Sequence, residues 1–298
     1  MAKIIAGSAS SQLVNNLCKN LDIPKIDTFI ERYQDQELRV QLSEGAYNED
    51  VIIVQSTSKP ANDHLMELFL LVDAAKRSGA RQVIAVVPYF GYSRQDRPSY
   101  AYGPISARLV ASLLEASKVD HLITIDLHSP QIEGFFKINV QNIETTNLFD
   151  NLLKDKPNLT IVSPDIGGLI RARKLSGSLN ANLAVISKIR KNHNTCEMDG
   201  IMGDMKGTHC VLVDDIVDTG NTLCQAAELL IKNGALSVEA FVTHAVLSEQ
   251  ALNNISNSAI DKMVVTNSIN QSNLGPKFKV IDIAPLLAEN LKKFSNPK

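Results

Sequence analysis

The chain has 298 residues, a length that at roughly 100–200 residues per domain predicts two domains. Thirty Lys and Arg stand against 32 Asp and Glu, a formal net charge of -2, so no basic surplus exists to hold nucleic acid non-specifically. At 44% hydrophobic and 21% charged residues, the composition excludes wholesale disorder and fibrous repeats.

No apolar run approaches the about 20 residues a bilayer-spanning helix needs, so no membrane partner is expected. The opening MAKIIAGSASSQ holds too short an apolar stretch for a signal-peptide core of about 7–15 residues. Cys18, Cys196, Cys210 and Cys224 lie far apart, with no CxxC and no Cys/His cluster. That spacing argues against a disulfide framework and a zinc site, and a reducing cytoplasm is the expected compartment.

Along the chain, DVIIVQS (50–56) reads as a buried strand. A helical pattern with Leu65, Leu68, Phe69 and Val72 follows and ends at Gly79, and QVIAVVP (82–88) reads as the next strand. Such βαβ alternation runs almost to the C-terminus and predicts an α/β fold with central parallel sheets. SGARQVIAVV (78–87) matches NGALSVEAFV (233–242), Gly79 aligning with Gly234 and Ala85 with Ala240. Either one domain occurs twice, or two βαβ units share helix-Gly-Ala-strand punctuation, since Gly supplies the left-handed cap; duplication is the reading adopted. A boundary between strand-like INVQNI and the helical pattern of Leu148, Phe149, Leu152 and Leu153 gives domains 1–145 and 146–298.

Several loops carry chemistry. FGYSRQDR (90–97) follows a buried strand and places Arg94, Gln95, Asp96 and Arg97 where Arg suits nucleotide phosphate and Gln and Asp suit base or ribose edges; alone, it reads equally as a solvated charged loop. ITIDLHSPQIEGFF (123–136) sets His128 at a strand tip, where functional loops of open α/β sheets gather. In CVLVDDIVDTGNTLCQAA (210–227) a buried strand ends in Asp214 and Asp215, and a turn of Asp218, Thr219, Gly220, Asn221 and Thr222 opens a helix. Backbone N–H groups and hydroxyls at a helix start favour an anion, whereas a carboxylate pair accepts hydrogen bonds from a diol and repels phosphate. The two features thus assign the two ends of a sugar phosphate. Helix capping by Asp218 or Thr222 holds in either case but leaves the paired aspartates unexplained. No GxxxxGK[ST] string occurs.

The 210–222 segment resembles the phosphoribosyl-diphosphate fingerprint of type I phosphoribosyltransferases and ribose-phosphate pyrophosphokinases. With RQDR, DLHSPQIEGFF, VSPDIGG (162–168) and SKIR (187–190) in order and spacing, the chain is identified as a member of the latter family over residues 1 to about 290. The resemblance implies two tandem phosphoribosyltransferase-like, Rossmann-like domains. It also implies transfer of a diphosphoryl group from MgATP to ribose 5-phosphate, with release of AMP. Lys188 and Arg190 match the catalytic basic pair, Arg190 also facing ribose 5-phosphate, which Asp214, Asp215 and 218–222 would hold. Arg94, Gln95, Asp96 and His128 match the ATP site, and Tyr33, Asp35 and Glu37 in RYQDQE (32–37) match the adenine contacts. His128 and Asp165 match the magnesium-associated positions; imidazole is a poor Mg²⁺ donor, so contact with metal or with phosphate both stay open for His128.

KNHNTCEMDGIMGD (191–204) aligns with a catalytic lid. Self-association into dimers or a dimer-built hexamer is implied, with no nucleic-acid or membrane partner. Where allosteric relatives carry an Arg, EGAYNED (44–50) has no basic residue. PSYAYGP (98–104) replaces a basic loop, so only weak, ATP-competitive inhibition by ADP is expected.

Overall fold

The protein was analysed as a computed structural model that describes residues 2–192 and 195–295, with the side chains of residues 188–199 and 295 outside that description. The chain forms two compact units and changes from one to the other between Ile143 and Glu144. The first contains β1 (Ala2–Ala6), α1 (Ser11–Leu21), β2 (Lys25–Ile26), β3 (Thr28–Arg32), β4 (Leu38–Leu42), β5 (Asp50–Val54) and α2 (Ala61–Arg77). It continues through β6 (Gln82–Val87), α3 (Ser106–Ala116), β7 (His121–Ile125) and β8 (Asn139–Ile143). The second contains α4 (Thr146–Leu153), β9 (Leu159–Ser163), α5 (Leu169–Leu179), β10 (Asn182–Asn192), β11 (Thr195–Met202), β12 (His209–Val217) and α6 (Asn221–Lys232). Then come β13 (Ser237–Ala245), α7 (Ala251–Ser256), β14 (Lys262–Thr266) and β15 (Phe278–Ile281). The last helix, α8 (Ala284–Ser295), belongs to the first unit.

The first sheet runs β2-β1-β5-β6-β7-β8, every pair parallel. Its central strands are buried on both faces because period-2 alternation sends successive apolar side chains to opposite sides. Val51, Ile53, Val83, Ala85 and Val87 meet Leu68, Leu71 and Val72 of α2 and Val110 and Leu114 of α3. Ile4, Ile52, Ile84 and Ile123 are equally buried and alternate with that set. In the second unit the order is β11-β10-β9-β12-β13-β14-β15, parallel except for the β10–β11 pair. Leu212, Ala240, Val242 and Val265 pack on Leu223, Ala227 and Leu230 of α6, and Val211, Val213 and Phe241 pack on Phe149 of α4 and Leu175 of α5.

The order β1-β5-β6-β7-β8 is repeated as β9-β12-β13-β14-β15, and the repeat reaches individual hydrogen bonds. Gly79 and Gly234 both take left-handed φ, 93° and 95°, where a side chain would be strained. Asn48 N–H donates to Gly79 O at 2.8 Å as Gly207 N–H donates to Gly234 O at 2.8 Å. Asp120 Oδ2 accepts Val83 N–H at 2.6 Å as Asp261 Oδ2 accepts Val238 N–H at 2.9 Å. Helix-Gly-Ala-strand punctuation alone would not reproduce these distant bonds, which favours duplication.

Three expectations need correction. The second domain, expected over 146–298, loses its end: residues from Asp282 onward sit in the first unit, where α8 packs on α1. The reason is apolar. Leu287, Ala288 and Leu291 of α8 are buried, as are Leu13, Val14 and Leu17 of α1, and Asn16 Nδ2 donates to Asp282 Oδ2 at 2.9 Å. The segment 191–204, expected as a loop, contains β11, paired antiparallel with β10 over Val185↔Met202 to Asn192↔Thr195. Finally, β12 does not end at Asp214 and Asp215 but continues to Val217, still paired with β13 at Ile216↔His244 and Val217↔Ala245.

Candidate functional site

In the second unit the chemistry gathers where β12 outruns its neighbour. Pairing with β9 stops at Leu212↔Val162, because β9 ends at Ser163 before Pro164, which has no N–H to continue a ladder. Asp214 and Asp215 lie on this stretch, which is paired only on its β13 side. Asp214 Oδ1 accepts the N–H of Asp215 at 2.9 Å, folding the first carboxylate back over the backbone. Arg171, in the first turn of α5, sets Nη1 at 3.5 Å from Asp214 Oδ1 and 3.4 Å from Asp215 Oδ1. Burial, then the neighbouring Asp215, push the Asp214 carboxyl well above the usual carboxylate range, and the Arg171 charge opposes that rise.

Asp165 is half-buried in the loop after β9. Its Oδ1 accepts Gly168 N–H at 3.0 Å, and its backbone oxygen accepts Ser163 Oγ–H at 2.6 Å. The Asp165 loop and the start of α5 are thereby one hydrogen-bonded piece.

Residues 218–222 follow β12 and lead into α6. Gly220 precedes the helix with φ 79°, and a Cβ there would stand 3.0 Å from Ile255 Cγ1 of α7. Asn254 Nδ2 donates to Thr219 O and to Asn221 Oδ1, both at 3.0 Å. Ser248 Oγ–H donates to Asp218 Oδ1. Those bonds fix the turn from behind while Asn221 is exposed and Thr219 and Thr222 half-exposed, the arrangement of an open helix N-terminus able to receive an anion.

Lys188 and Arg190 fall on β10, opposite Met198 and Cys196 of β11. Their side chains lie outside the described residues.

In the first unit, Arg94, Gln95 and Asp96 occupy the loop between β6 and α3. Gln95 does structural work: its Oε1 accepts Ser106 Oγ–H at 2.6 Å and its carbonyl accepts Ala107 N–H at 3.1 Å, closing the start of α3. Arg94 is exposed, and Arg97 reaches Asp96 at 3.9 Å. His128 is exposed in the loop after β7, at the same C-terminal edge of the parallel strands. Tyr33, Asp35 and Glu37 form the exposed turn of the β3–β4 hairpin, held by Tyr33 N–H to Glu37 O at 2.9 Å and Glu37 N–H to Asp35 Oδ1 at 3.1 Å. Both regions touch the first turn of α2: Arg32 Nη2 donates to Asp63 Oδ2 at 2.7 Å, and Tyr92 O–H donates to Asn62 Oδ1. A cavity of about 210 Å³ beside the hairpin is lined by Ser8, Arg32, Asp63, His64 and Glu67 among others, and none of the three expected adenine contacts lines it.

Sequence reasoning missed Arg171, Ser248 and Asn254. Each is one polar residue among many in its helix or loop, with no spacing to the 214–222 segment that a linear reading would register.

A family model described as the N-terminal domain of ribose phosphate pyrophosphokinase matches residues 2–117, and one described as the phosphoribosyl synthetase-associated domain matches residues 176–298. The ribose-phosphate pyrophosphokinase of Helicobacter hepaticus is 46% identical over 293 residues, covering 98% of this chain and 95% of that protein. The chain belongs to the ribose-phosphate pyrophosphokinase family. The Agrobacterium fabrum member of the family is 44% identical over 298 residues, covering 98% of this chain and 96% of that one. Among solved structures, the phosphoribosylpyrophosphate synthetase from Mycobacterium smegmatis matches with a TM-score of 0.92 at 33% identity, covering 98% of both chains. The pyrophosphokinase fold therefore extends over both units, as the resemblance implied.

Proposed function

We propose that this chain transfers the diphosphoryl group of MgATP to the C1 hydroxyl of ribose 5-phosphate, giving 5-phosphoribosyl 1-diphosphate and AMP for nucleotide biosynthesis. The observation that carries this reading is the Asp214–Asp215 pair upstream of an open helix N-terminus at 218–222, in a chain of the pyrophosphokinase family. Carboxylates accept hydrogen bonds from the pentose diol, and the backbone N–H groups and hydroxyls of Thr219, Gly220, Asn221 and Thr222 take the 5-phosphate. The C1 oxygen then attacks the β-phosphorus, the bond from the β-phosphorus to the α,β-bridging oxygen breaks, AMP leaves with that oxygen, and the hydroxyl proton is lost.

Charge spreads over phosphoryl oxygens in such a displacement, so fixed cations are what accelerate it. Lys188 and Arg190, both on β10, are assigned that role, Arg190 also meeting ribose 5-phosphate. ATP is assigned to the first unit through Arg94, Gln95, Asp96 and His128, with Tyr33, Asp35 and Glu37 for adenine.

Magnesium fits the donor chemistry: Asp165 offers a half-buried carboxylate, a hard oxygen ligand, and His128 a weaker imidazole. Among the described residues no group of three His, Cys, Asp or Glu side chains is placed to hold a metal ion. A cation that travels with ATP phosphates needs only one or two protein contacts, and once bound it supplies charge neutralisation on the phosphoryl oxygens.

Self-association into dimers or a dimer-built hexamer belongs to the same proposal, supported by the stripe Ile105, Leu109 and Leu113 at helical spacing, 36%, 57% and 44% exposed. Sedimentation of an active, wholly monomeric species would remove that part. Among the described residues no helix is long and apolar enough to cross a membrane, and a cytoplasmic location is proposed with the substrates. The reaction is tested by AMP formation that requires ribose 5-phosphate. In that assay Lys188→Ala is expected to slow turnover by about 10²–10³, the usual loss for one preorganised transition-state donor. Unchanged turnover in Lys188→Ala would remove the lysine from the mechanism.

A further inference from the structure

We propose that Arg171 is the positioning residue of the pentose site, its guanidinium bridging Asp214 and Asp215 so that both carboxylates face one diol. The proposal rests on the assignment of that pair to ribose 5-phosphate. Adjacent strand residues ordinarily send their side chains to opposite faces. Here one nitrogen, Arg171 Nη1, lies 3.5 Å from Asp214 Oδ1 and 3.4 Å from Asp215 Oδ1, so two groups that the strand would separate share a single cation.

The three side chains are only 20%, 19% and 6% exposed in the order Arg171, Asp214, Asp215, so water does little of this neutralising. The distances exceed the about 2.7–2.9 Å of a tight charge-assisted hydrogen bond. At that range the guanidinium offsets the mutual repulsion of the carboxylates without taking up their acceptor capacity, which a diol requires. Arg171 also leaves the first turn of α5, one turn beyond Gly168, whose N–H is held by Asp165 at 3.0 Å. The carboxylate pair is thus referenced to the same rigid turn that fixes Asp165.

Both contacts run through the single nitrogen Nη1 of a weakly hydrated guanidinium, whereas an ammonium is a strongly hydrated point charge on a flexible stem. This gives the test its conservative variant. Steady-state AMP formation by the full chain is measured for R171Q, R171K, D214N and R171Q/D214N, varying ribose 5-phosphate at saturating MgATP and then the reverse. R171Q is expected to raise the KM for ribose 5-phosphate about tenfold, with the KM for ATP within about twofold and kcat within about threefold of the parent, the signature of lost ground-state binding. R171K should fall between. In the D214N background, R171Q should add less than about twofold, because residues acting through one another are not additive.

A ribose 5-phosphate KM unchanged in R171Q, an equal rise in the ATP KM, or full additivity with D214N overturns the proposal. If R171Q fails to fold, R171K decides: a rise confined to ribose 5-phosphate upholds it, and parental KM values overturn it. If D214N itself leaves that KM unchanged, the ribose assignment falls and takes the proposal with it; a D214N effect beside an inert R171Q removes Arg171 alone.

Discussion

At Asp50, burial and pairing pull in opposite directions. The residue is 1% exposed, and burial alone would raise its carboxyl, but Arg81 donates through Nε at 2.8 Å and Nη2 at 2.6 Å and holds it below the ordinary value. A carboxyl depressed in the folded state stabilises fully above its unfolded pKa of about 3.9 and loses that contribution as pH falls through the lower folded value. Asp50→Asn should therefore lower Tm most at neutral pH, with the gap to the parent closing below about pH 4. Thermal melts at pH 7 and pH 3.5 check this; an equal gap at both would show that the pair does not titrate as the geometry requires. Lys3 is engaged nearby in the same way, 3.0 Å from both Glu44 and Glu49, so these two cations beside residues 44–50 are already paired with carboxylates. A diphosphate would find no vacant cation in these two pairs, and ADP is expected to inhibit only in competition with ATP. Inhibition that survives saturating ATP would contradict this.

Among the elements, the turn into α6 depends on one backbone conformation. Gly220→Ala places a Cβ at φ 79° and 3.0 Å from Ile255 Cγ1, a cost of about 1 kcal/mol or more before the contact is counted. The turn that would hold the 5-phosphate shifts with it. Ribose 5-phosphate KM should rise together with a lower urea midpoint; a change in stability alone would separate the turn from substrate binding. What was legible in the sequence follows the same physics. Strands β5 and β6 are nearly unbroken apolar runs, and β6 and β13 each follow a helix closed by a left-handed glycine, Gly79 and Gly234. The β3–β4 hairpin and β11 were not legible, because half-exposed segments such as TFIER and LRVQL mix charge and apolar residues as loops do. The aspartates of β12 were read as a strand end because a carboxylate pair is unexpected inside a ladder, and only the early stop of β9 explains how the strand accommodates them. The loop counterpart in the first unit shows the reverse. Gln55, Ser56, Thr57 and Ser58 are all buried, Gln55 Nε2 donates to Glu67 Oε1 at 2.9 Å, and Ser10 Oγ accepts Ser56 N–H at 2.9 Å. Of the two matching loops, the one after β12 keeps polar residues half-exposed.

At the scale of the whole molecule, the second unit is inserted into the first. Residues up to Ile143 and from Asp282 onward make one body, and α8 packs on α1 with Leu287 and Leu291 fully buried. Gln141 Nε2 donates to Asn290 Oδ1 at 2.5 Å and Lys293 Nζ to Gln141 Oε1 at 2.7 Å, tying α8 to β8 at the close of the first pass. Leu287→Ala should cost about 2–5 kcal/mol, the usual range for a buried leucine truncation, and appear as a lower urea midpoint. A midpoint unchanged by Leu287→Ala would return α8 to the periphery. Chain order hid this arrangement, since α8 follows the second unit without a break and only packing assigns it to the first. The arrangement also bears on how the protein is born. During synthesis the amino-terminal sheet leaves the ribosome early, yet the helix that packs on α1 is made only after the second unit, so one flank of the nascent first unit must wait until the second has been made.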